Sequence, residues 1–231
     1  MRLDKILHSQ GIGPRKTCQM LIQRGAVRVN GLLCKNIKES FNPIDLNFSV
    51  YGDEYTYQEH VYIALYKPTG YECSHQTSHH ASVFELLPNE FNERGVQTVG
   101  RLDQDTTGLL LLSDDGQFIQ ALTHPKKHVG KVYVMTTIEP ITAIQIQQLE
   151  EGVALRNETG IFKAHDVEQL DEYTLRMTIH QGVYHQVKRM ITVVGNHVTQ
   201  LHRSSVGGLD LPVSLEVGEW VYLTAEDRAK I

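Results

Sequence analysis

Gly100 to Gly116, GRLDQDTTGLLLLSDDG, is the stretch on which the reading of this chain turns. Its second half runs through four leucines, Leu109 to Leu112, between a Thr-Thr-Gly turn and a Ser-Asp-Asp-Gly cluster. A short apolar run bounded by turn residues is the pattern of a strand buried in the middle of a sheet. The first half sets Arg101 and Asp103 two apart at the end of an expected strand, Thr98 to Leu102. Side chains alternate along a strand, so both should project to one face while Leu102 points into the core. On spacing alone, Asp103 and Asp105 read more readily as turn residues accepting backbone N–H bonds than as reacting groups.

Working outward, β-like runs are expected at Val61 to Tyr66, Val132 to Ile138, Gly160 to Val167, Thr174 to His180, His197 to Ser204 and Trp220 to Leu223. Helical patterns fall at Asp115 to Leu122, Ile141 to Glu151 and Tyr184 to Val194. Many strands with few intervening helices predict an α+β body on a mostly antiparallel sheet. Neither GxGxxG nor GxxxxGK[ST] occurs, so no nucleotide cofactor site is indicated.

The N-terminal residues form a different pattern. Pro14 suits a first helical position, Cys18, Leu21 and Ile22 make one apolar face, and Gly25 stands as the stop. Asn30-Gly31, between the alternating Val27 to Val29 and Leu32 to Lys35, predicts a two-residue hairpin turn. A strand near Leu46 to Val50 would close a small α/β module of two helices and a hairpin. The polar segment Tyr51 to His60 reads as a linker, giving domains at 1–58 and 59–231.

The charge divides in the same place. The formal net charge of −5 hides a head, residues 1–38, with eight Lys and Arg against the single acid Asp4, on a body with 14 bases and 26 acids. A net charge of that sign argues against a polyanionic partner, whereas the basic head argues for one. Three cysteines, an odd number without a CxxC pair, suggest neither a disulfide framework nor a zinc site. With no apolar stretch near 18 residues, a soluble cytoplasmic protein is expected.

Two further segments carry candidate chemistry. HQGVYHQVKRMITVVG, His180 to Gly195, placed on a helix from Tyr184, aligns Tyr184, Val187, Met190, Ile191 and Val194 as a buried stripe. Lys188 lies at its edge, where it can meet a buried carboxylate, and Arg189 points nearly opposite, where it can meet phosphate. In THPKKHVGKVYVM, Thr123 to Met135, Lys131 and Tyr133 are two apart on a β-like run and should face the same way. A lone strand tyrosine is more often packing than chemistry. His124 and His128 lack a third partner, so no metal site is expected. No acid occurs from Gly116 to Ile138 or from Tyr173 to Leu209.

Taken together these segments resemble a known family. Gly100-Arg101-Leu102-Asp103, continued by Asp105-Thr106-Thr107-Gly108-Leu109, is similar to the signature of the pseudouridine synthases, in the branch typified by RsuA, which acts on small-subunit ribosomal RNA. Lys67-Pro68-Thr69-Gly70, Lys131-Val132-Tyr133 and Tyr184-His185-Gln186-Val187-Lys188-Arg189-Met190 follow in the family's order. The head, from Arg2-Leu3-Asp4-Lys5 to Val29-Asn30-Gly31, resembles the RNA-binding domain named after ribosomal protein S four.

The resemblance implies isomerisation of one uridine in small-subunit (16S) ribosomal RNA, without cofactor or metal. Asp103 would be the carboxylate facing the sugar, by attack at C1′ or by removal of the C2′ proton. Tyr133 would stack on the uracil and help remove the C5 proton, and Lys188 would pair with Asp103. Arg101, which is placed to help flip the base out, joins Lys67, Gln186 and Arg189 as expected substrate contacts. Arg15, Lys16, Arg24 and Arg28 are the expected RNA contacts of the head. The expected partner is ribosomal RNA within a small-subunit assembly intermediate, met by a monomer with no membrane attachment. Sister synthases acting on large-subunit RNA, and a non-catalytic assembly factor, are the competing readings. A glycoside hydrolase using Asp103 and Asp105 lacks the aromatic platform a sugar needs, with one Trp in the chain.

Overall fold

The computed structural model describes residues 1–231, apart from the side chain of Pro125. The chain forms two compact units. Met1–Val61 with Leu87–Gln97 and Ser113–Asp115 make the first; Tyr62–Leu86, Thr98–Leu112 and Gly116–Ile231 make the second. The first unit takes two later segments, Leu87–Gln97 and Ser113–Asp115, besides its N-terminal residues. Their attachment is visible in its contacts: Arg94 pairs with Asp114 at 2.7 Å, and Asp114 accepts the Val61 N–H at 2.8 Å.

In the first unit, helices Leu3–Ser9 and Arg15–Gln23 pack on a sheet ordered Leu32–Cys34, Val27–Val29, Asn47–Val50, Asp53–Thr56. Leu3, Ile6, Leu7, Cys18, Ile22, Val27 and Phe48 form its core. The turn at Asn30-Gly31 has positive φ at both residues, 47° and 79°, as a primed hairpin turn requires. Part of the segment expected to be a linker, Asp53–Thr56, is instead a strand paired antiparallel to Asn47–Val50. Its polarity misled because an edge strand with one face in water needs few apolar residues.

One acid ties the first two helices together. Asp4 is fully buried and accepts Gln19 Nε2 at 2.8 Å, Arg15 Nε at 3.0 Å and Arg2 Nη2 at 3.1 Å. Burial raises its pKa, but these hydrogen bonds and the arginine charges outweigh it, leaving the group below the ordinary carboxylate value. The stabilisation is therefore present at neutral pH and lost as the pH falls through that lowered value.

The second unit is built on a nine-stranded sheet. Its main order is His165–Gln169, Thr174–Ile179, Lys131–Thr137, Val198–Val206, Thr106–Ser113, Tyr62–Lys67, Trp220–Tyr222. The first three pairings and the last are antiparallel, and Val198–Val206 runs parallel to Thr106–Ser113. This is the expected α+β, antiparallel-rich architecture. Leu109 to Leu112 are all buried in the central strand, which explains the unbroken apolar run. Leu109 and Leu111 share one core cluster with Ala64, Leu122, Val206 and Leu223.

Two features fix the turn that precedes this strand. Gly108 has φ +110°, and a Cβ there would lie 2.2 Å from the carbonyl oxygen of Arg203, its partner across the parallel pair. Only glycine lets the two strands approach so closely. The Lys67 side chain, with no exposed surface, donates from Nζ to the carbonyls of Pro68 (2.9 Å), Asp103 (3.0 Å), Thr106 (3.0 Å) and Gln104 (3.3 Å). Gly70 N–H adds a bond to the Gln104 carbonyl at 2.7 Å. The Lys-Pro-Thr-Gly segment is thus a clamp on the Asp103 turn. Lys67 is not the substrate contact expected from sequence, because its ammonium is spent on these carbonyls and does not line the cleft that holds Asp103. Burial also holds its pKa below the ordinary lysine value, with the nearby acids offsetting part of the effect.

Lys67→Met keeps the side-chain length and removes every donor to the turn. Leaving buried carbonyls unpaired should cost about 2–3 kcal/mol, lowering Tm by roughly 4–10 °C. Hydrogen exchange at the Gly70 and Thr106 amides, measured by mass spectrometry, should accelerate.

Candidate active site

A cleft of about 450 Å³ opens in the second unit. Gly100 to Asp103, Lys131, Tyr133, His180 to Lys188 and Arg203 are among its lining residues. Residues 101–103 are irregular rather than the expected strand end, since the strand preceding them is only Gln97–Thr98. Arg101 and Asp103 nevertheless both line the cleft, with Arg101 exposed at its surface and Leu102 buried. The backbone is held there by the Lys67 clamp and by a Leu102 N–H bond to Cys73 Sγ at 3.4 Å.

The Asp103 carboxylate is 29% exposed and lies between the side chains of Lys188 and His185. Lys188 Nζ is 3.3 Å from Oδ2, and His185 Nε2 is 3.3 Å from Oδ1. Lys188 also bonds Asp105 Oδ1 at 2.6 Å. Burial draws the Lys188 pKa down, but the Asp105 hydrogen bond and the charges of Asp103 and Asp105 overcome this and raise it above 10.5. Burial likewise raises Asp105, and its bond to Lys188 reverses the shift and leaves it lowered. The signs agree: the Asp105 contribution is lost only as pH falls through its lowered value, and the Lys188 contribution only as pH rises through its raised one. Across the neutral range the Lys188–Asp105 pair keeps its charges. Asp105, more than half exposed, is a partner of Lys188 and not a second reacting carboxylate.

Helix Gln186–Val193 presents Lys188, with Val187, Met190 and Ile191 buried as the stripe predicted. Tyr184 departs from that stripe. It precedes the helix, is exposed, and stacks on the His185 ring with centroids 3.8 Å apart. His185, just before the helix, has φ 51°, a left-handed conformation that makes the helix start at Gln186, and its ring lies beside Asp103. Its position beside the acid was not foreseen, because a 3.6-residue period places it on the helix.

Tyr133 and Lys131 sit on one strand and both line the cleft, with Tyr133 buried. A register shift between Val132 and Tyr133 sets Tyr133 opposite Arg203 on the neighbouring strand. Bulges of this kind re-aim side chains at sites. Arg203 is 2% exposed, donates from Nε to the Leu109 carbonyl at 2.8 Å, and has an Nη2 without a partner. The Lys131 pKa is lowered by burial and then by the Arg203 charge. Arg203 was legible in principle, since it occupies an inward position of an alternating strand within an acid-free stretch, where an arginine is unusual.

Other expected contacts lie elsewhere or are engaged. Arg189 bonds Glu158 Oε1 at 2.9 Å, the Tyr184 carbonyl at 3.0 Å and the Arg156 carbonyl, so it fastens a loop to the helix and is no free phosphate ligand. Gln186 borders the cleft but is buried, with Oε1 accepting the Val183 N–H at 3.2 Å and Nε2 reaching Met190 Sδ at 3.7 Å. It closes the helix start and does not offer its amide to a ligand. In the first unit Lys16, Arg24 and Arg28 are exposed. Arg15 is half-exposed but belongs to the Asp4 cluster, so its removal would disturb the fold as well as the surface. Among the described residues no group of His, Cys, Asp and Glu is arranged to hold a metal ion, and no helix is long and apolar enough to cross a membrane.

Residues 61–192 match the family model of RNA pseudouridylate synthase, and residues 1–40 match the S4 domain. Over 98% of this chain and 97% of its own length, the ribosomal small subunit pseudouridine synthase A of Vibrio vulnificus is 39% identical. The protein of that name in Escherichia coli K12 is 36% identical over the full length of both chains. An uncharacterized RNA pseudouridine synthase of Bacillus subtilis is 37% identical over 98% of this chain and 96% of its own. A crystal structure of a pseudouridylate synthase superposes with a TM-score of 0.70 at 35% identity, covering 100% of this chain and 99% of that one. The chain belongs to the RNA pseudouridylate synthase family, a family of isomerases, and carries an S4 domain at its N-terminus.

Proposed function

We propose that this protein converts one uridine of small-subunit (16S) ribosomal RNA to pseudouridine, with Asp103 as nucleophile. The observation that carries the reading is the Asp103 carboxylate, held in the cleft between Lys188 and His185 at 3.3 Å each and sharing that cleft with Tyr133. As the N1–C1′ bond breaks, its electron pair passes to the uracil and Asp103 captures C1′. The base turns within the cleft, and C5 then attacks C1′ and expels the carboxylate. C5 loses its proton, with Tyr133 as the acceptor, and N1 gains one, so the reaction is an isomerisation that consumes nothing. Lys188 holds Asp103 oriented and balances its charge whenever the carboxylate is free. Arg101, exposed at the cleft, meets the RNA strand from which the base is drawn.

The small-subunit substrate is supported by the names of the Vibrio and Escherichia relatives, similar from end to end. We assign residues 1–58 to RNA binding, with Lys16, Arg24 and Arg28 as backbone contacts, and 59–231 to catalysis. The enzyme is read as a cytoplasmic monomer acting on an assembly intermediate.

Asp103→Asn should retain the fold and RNA affinity but lose pseudouridine formation by at least about a thousandfold. Residual activity near that of the wild type would mean another group is the nucleophile, and unchanged cellular function would favour an assembly factor that needs no chemistry. Pseudouridine mapping of ribosomal RNA from a deletion strain should show one small-subunit site missing; loss of a large-subunit site instead would identify a sister specificity. Replacing Lys16, Arg24 and Arg28 together with glutamine should weaken RNA binding and reduce the slope of log K against log salt by about 2–3, with Tm unchanged.

A further inference from the structure

Two buried polar atoms of the cleft residues have nothing to bond. Thr106 Oγ1 and Arg203 Nη2 are both shut off from solvent without a hydrogen-bond partner, and both residues line the cleft. Thr106 begins the central strand and Arg203 lies on the strand parallel to it, two register positions along. An unpaired buried donor is costly, and a buried guanidinium without a carboxylate more so. Arg203 has one neutral partner, the Leu109 carbonyl. Its charged surroundings include two further cations, Lys67 and Lys131, whose own charges it disfavours. The acids of the site do not relieve it, since Asp103 and Asp105 are engaged by Lys188 and His185. Such an arrangement persists where a ligand completes it.

We infer that Arg203, with Thr106, binds the carbonyl edge of the uracil and takes up the negative charge the base acquires on leaving C1′. Arg203 is thus a catalytic residue for the reaction proposed above, and the inference rests on that reading. The chemistry requires such a group. When N1–C1′ breaks, the bonding pair delocalises over N1, O2 and O4 of the uracil, and the base stays an anion until C5 rejoins C1′ and expels the Asp103 carboxylate. Asp103 serves the sugar and is itself negative, so it cannot hold that charge. A preorganised, buried cation stabilises the separated base far more than the neutral uridine, which lowers the barrier without tightening ground-state binding. Thr106 supplies a hydroxyl able to donate or accept at the same edge. Arg203 faces Tyr133 across the sheet, so the base has an aromatic residue and its counter-charge on adjacent strands.

The test compares two RNA substrates, one with uridine and one with 5-fluorouridine at the target, in single-turnover loss of the N1–C1′ bond. Fluorine makes the departing base a weaker base, so a variant that has lost the counter-charge should recover with it. Arg203→Met should slow cleavage of the uridine substrate by about 100- to 1000-fold, leave KM within about threefold and show a defect at least tenfold smaller with 5-fluorouridine. Arg203→Lys should regain much of the rate. Thr106→Val, of the same shape, should slow cleavage about tenfold at unchanged Tm, which covers the case of an unfolded Arg203→Met. An equal defect on both substrates, with Arg203→Lys no better than Arg203→Met, would make Arg203 a packing residue and overturn the inference, as would full activity of either Arg203 variant. A wild-type enzyme that forms no pseudouridine in ribosomal RNA would instead fail the functional reading itself.

Discussion

The ammonium of Lys67, buried beneath the turn that carries Asp103, is the interaction on which the site depends. A lysine sealed from water is expensive unless every proton finds an acceptor. Here the acceptors are the carbonyls of Pro68, Asp103, Gln104 and Thr106. The bonds go to backbone and not to the carboxylate, so the chain path is fixed while the side chain of Asp103 stays free for Lys188, His185 and a substrate. Gly108 does the complementary work from the other side, letting the central strand come within backbone contact of Arg203. Between them, clamp and glycine set where the acid, the buried arginine and the tyrosine meet.

The charges of the cleft are separated by task. Lys188 and His185 surround Asp103, whereas Lys131 and Arg203 lie on the paired strands that carry Tyr133. A reaction that makes a cation-like sugar and an anionic base from one neutral uridine needs this polarity. Its cost appears in lowered lysine pKa values at Lys67 and Lys131 and in unpaired atoms at Thr106 and Arg203. The first unit also buries a charge, in a structural role: Asp4 takes three donors on one carboxylate oxygen and joins two helices.

Much was legible in the chain itself. The Gly-Arg-Leu-Asp signature, the leucine run and the Asn-Gly turn each act through local physics: a glycine-permitted close approach, burial on both faces, positive φ at adjacent residues. Lys188 at the rim of an apolar helical stripe also follows from periodicity, and its partner carboxylates are where that geometry requires. Errors arose where tertiary contacts decide a residue's task. Lys67 and Arg189 look like free cations until their acceptors, brought from distant segments, are known. Tyr184 fits a helical stripe until His185 adopts a left-handed backbone and breaks it.

The sequence by itself determined the family, the α+β class and the basic head on an acidic body, and marked Asp103, Tyr133 and Lys188 as candidates, because these depend on motif order, periodicity and local charge. Only the tertiary structure decided which cations are spent and which remain available. That question turns on distances between residues remote in the chain, such as Lys67 to Asp103 and Arg203 to Leu109, and on whether a buried donor finds an acceptor. Periodicity carries no information about such pairings, since hydrogen bonding is settled in three dimensions by which strands lie side by side.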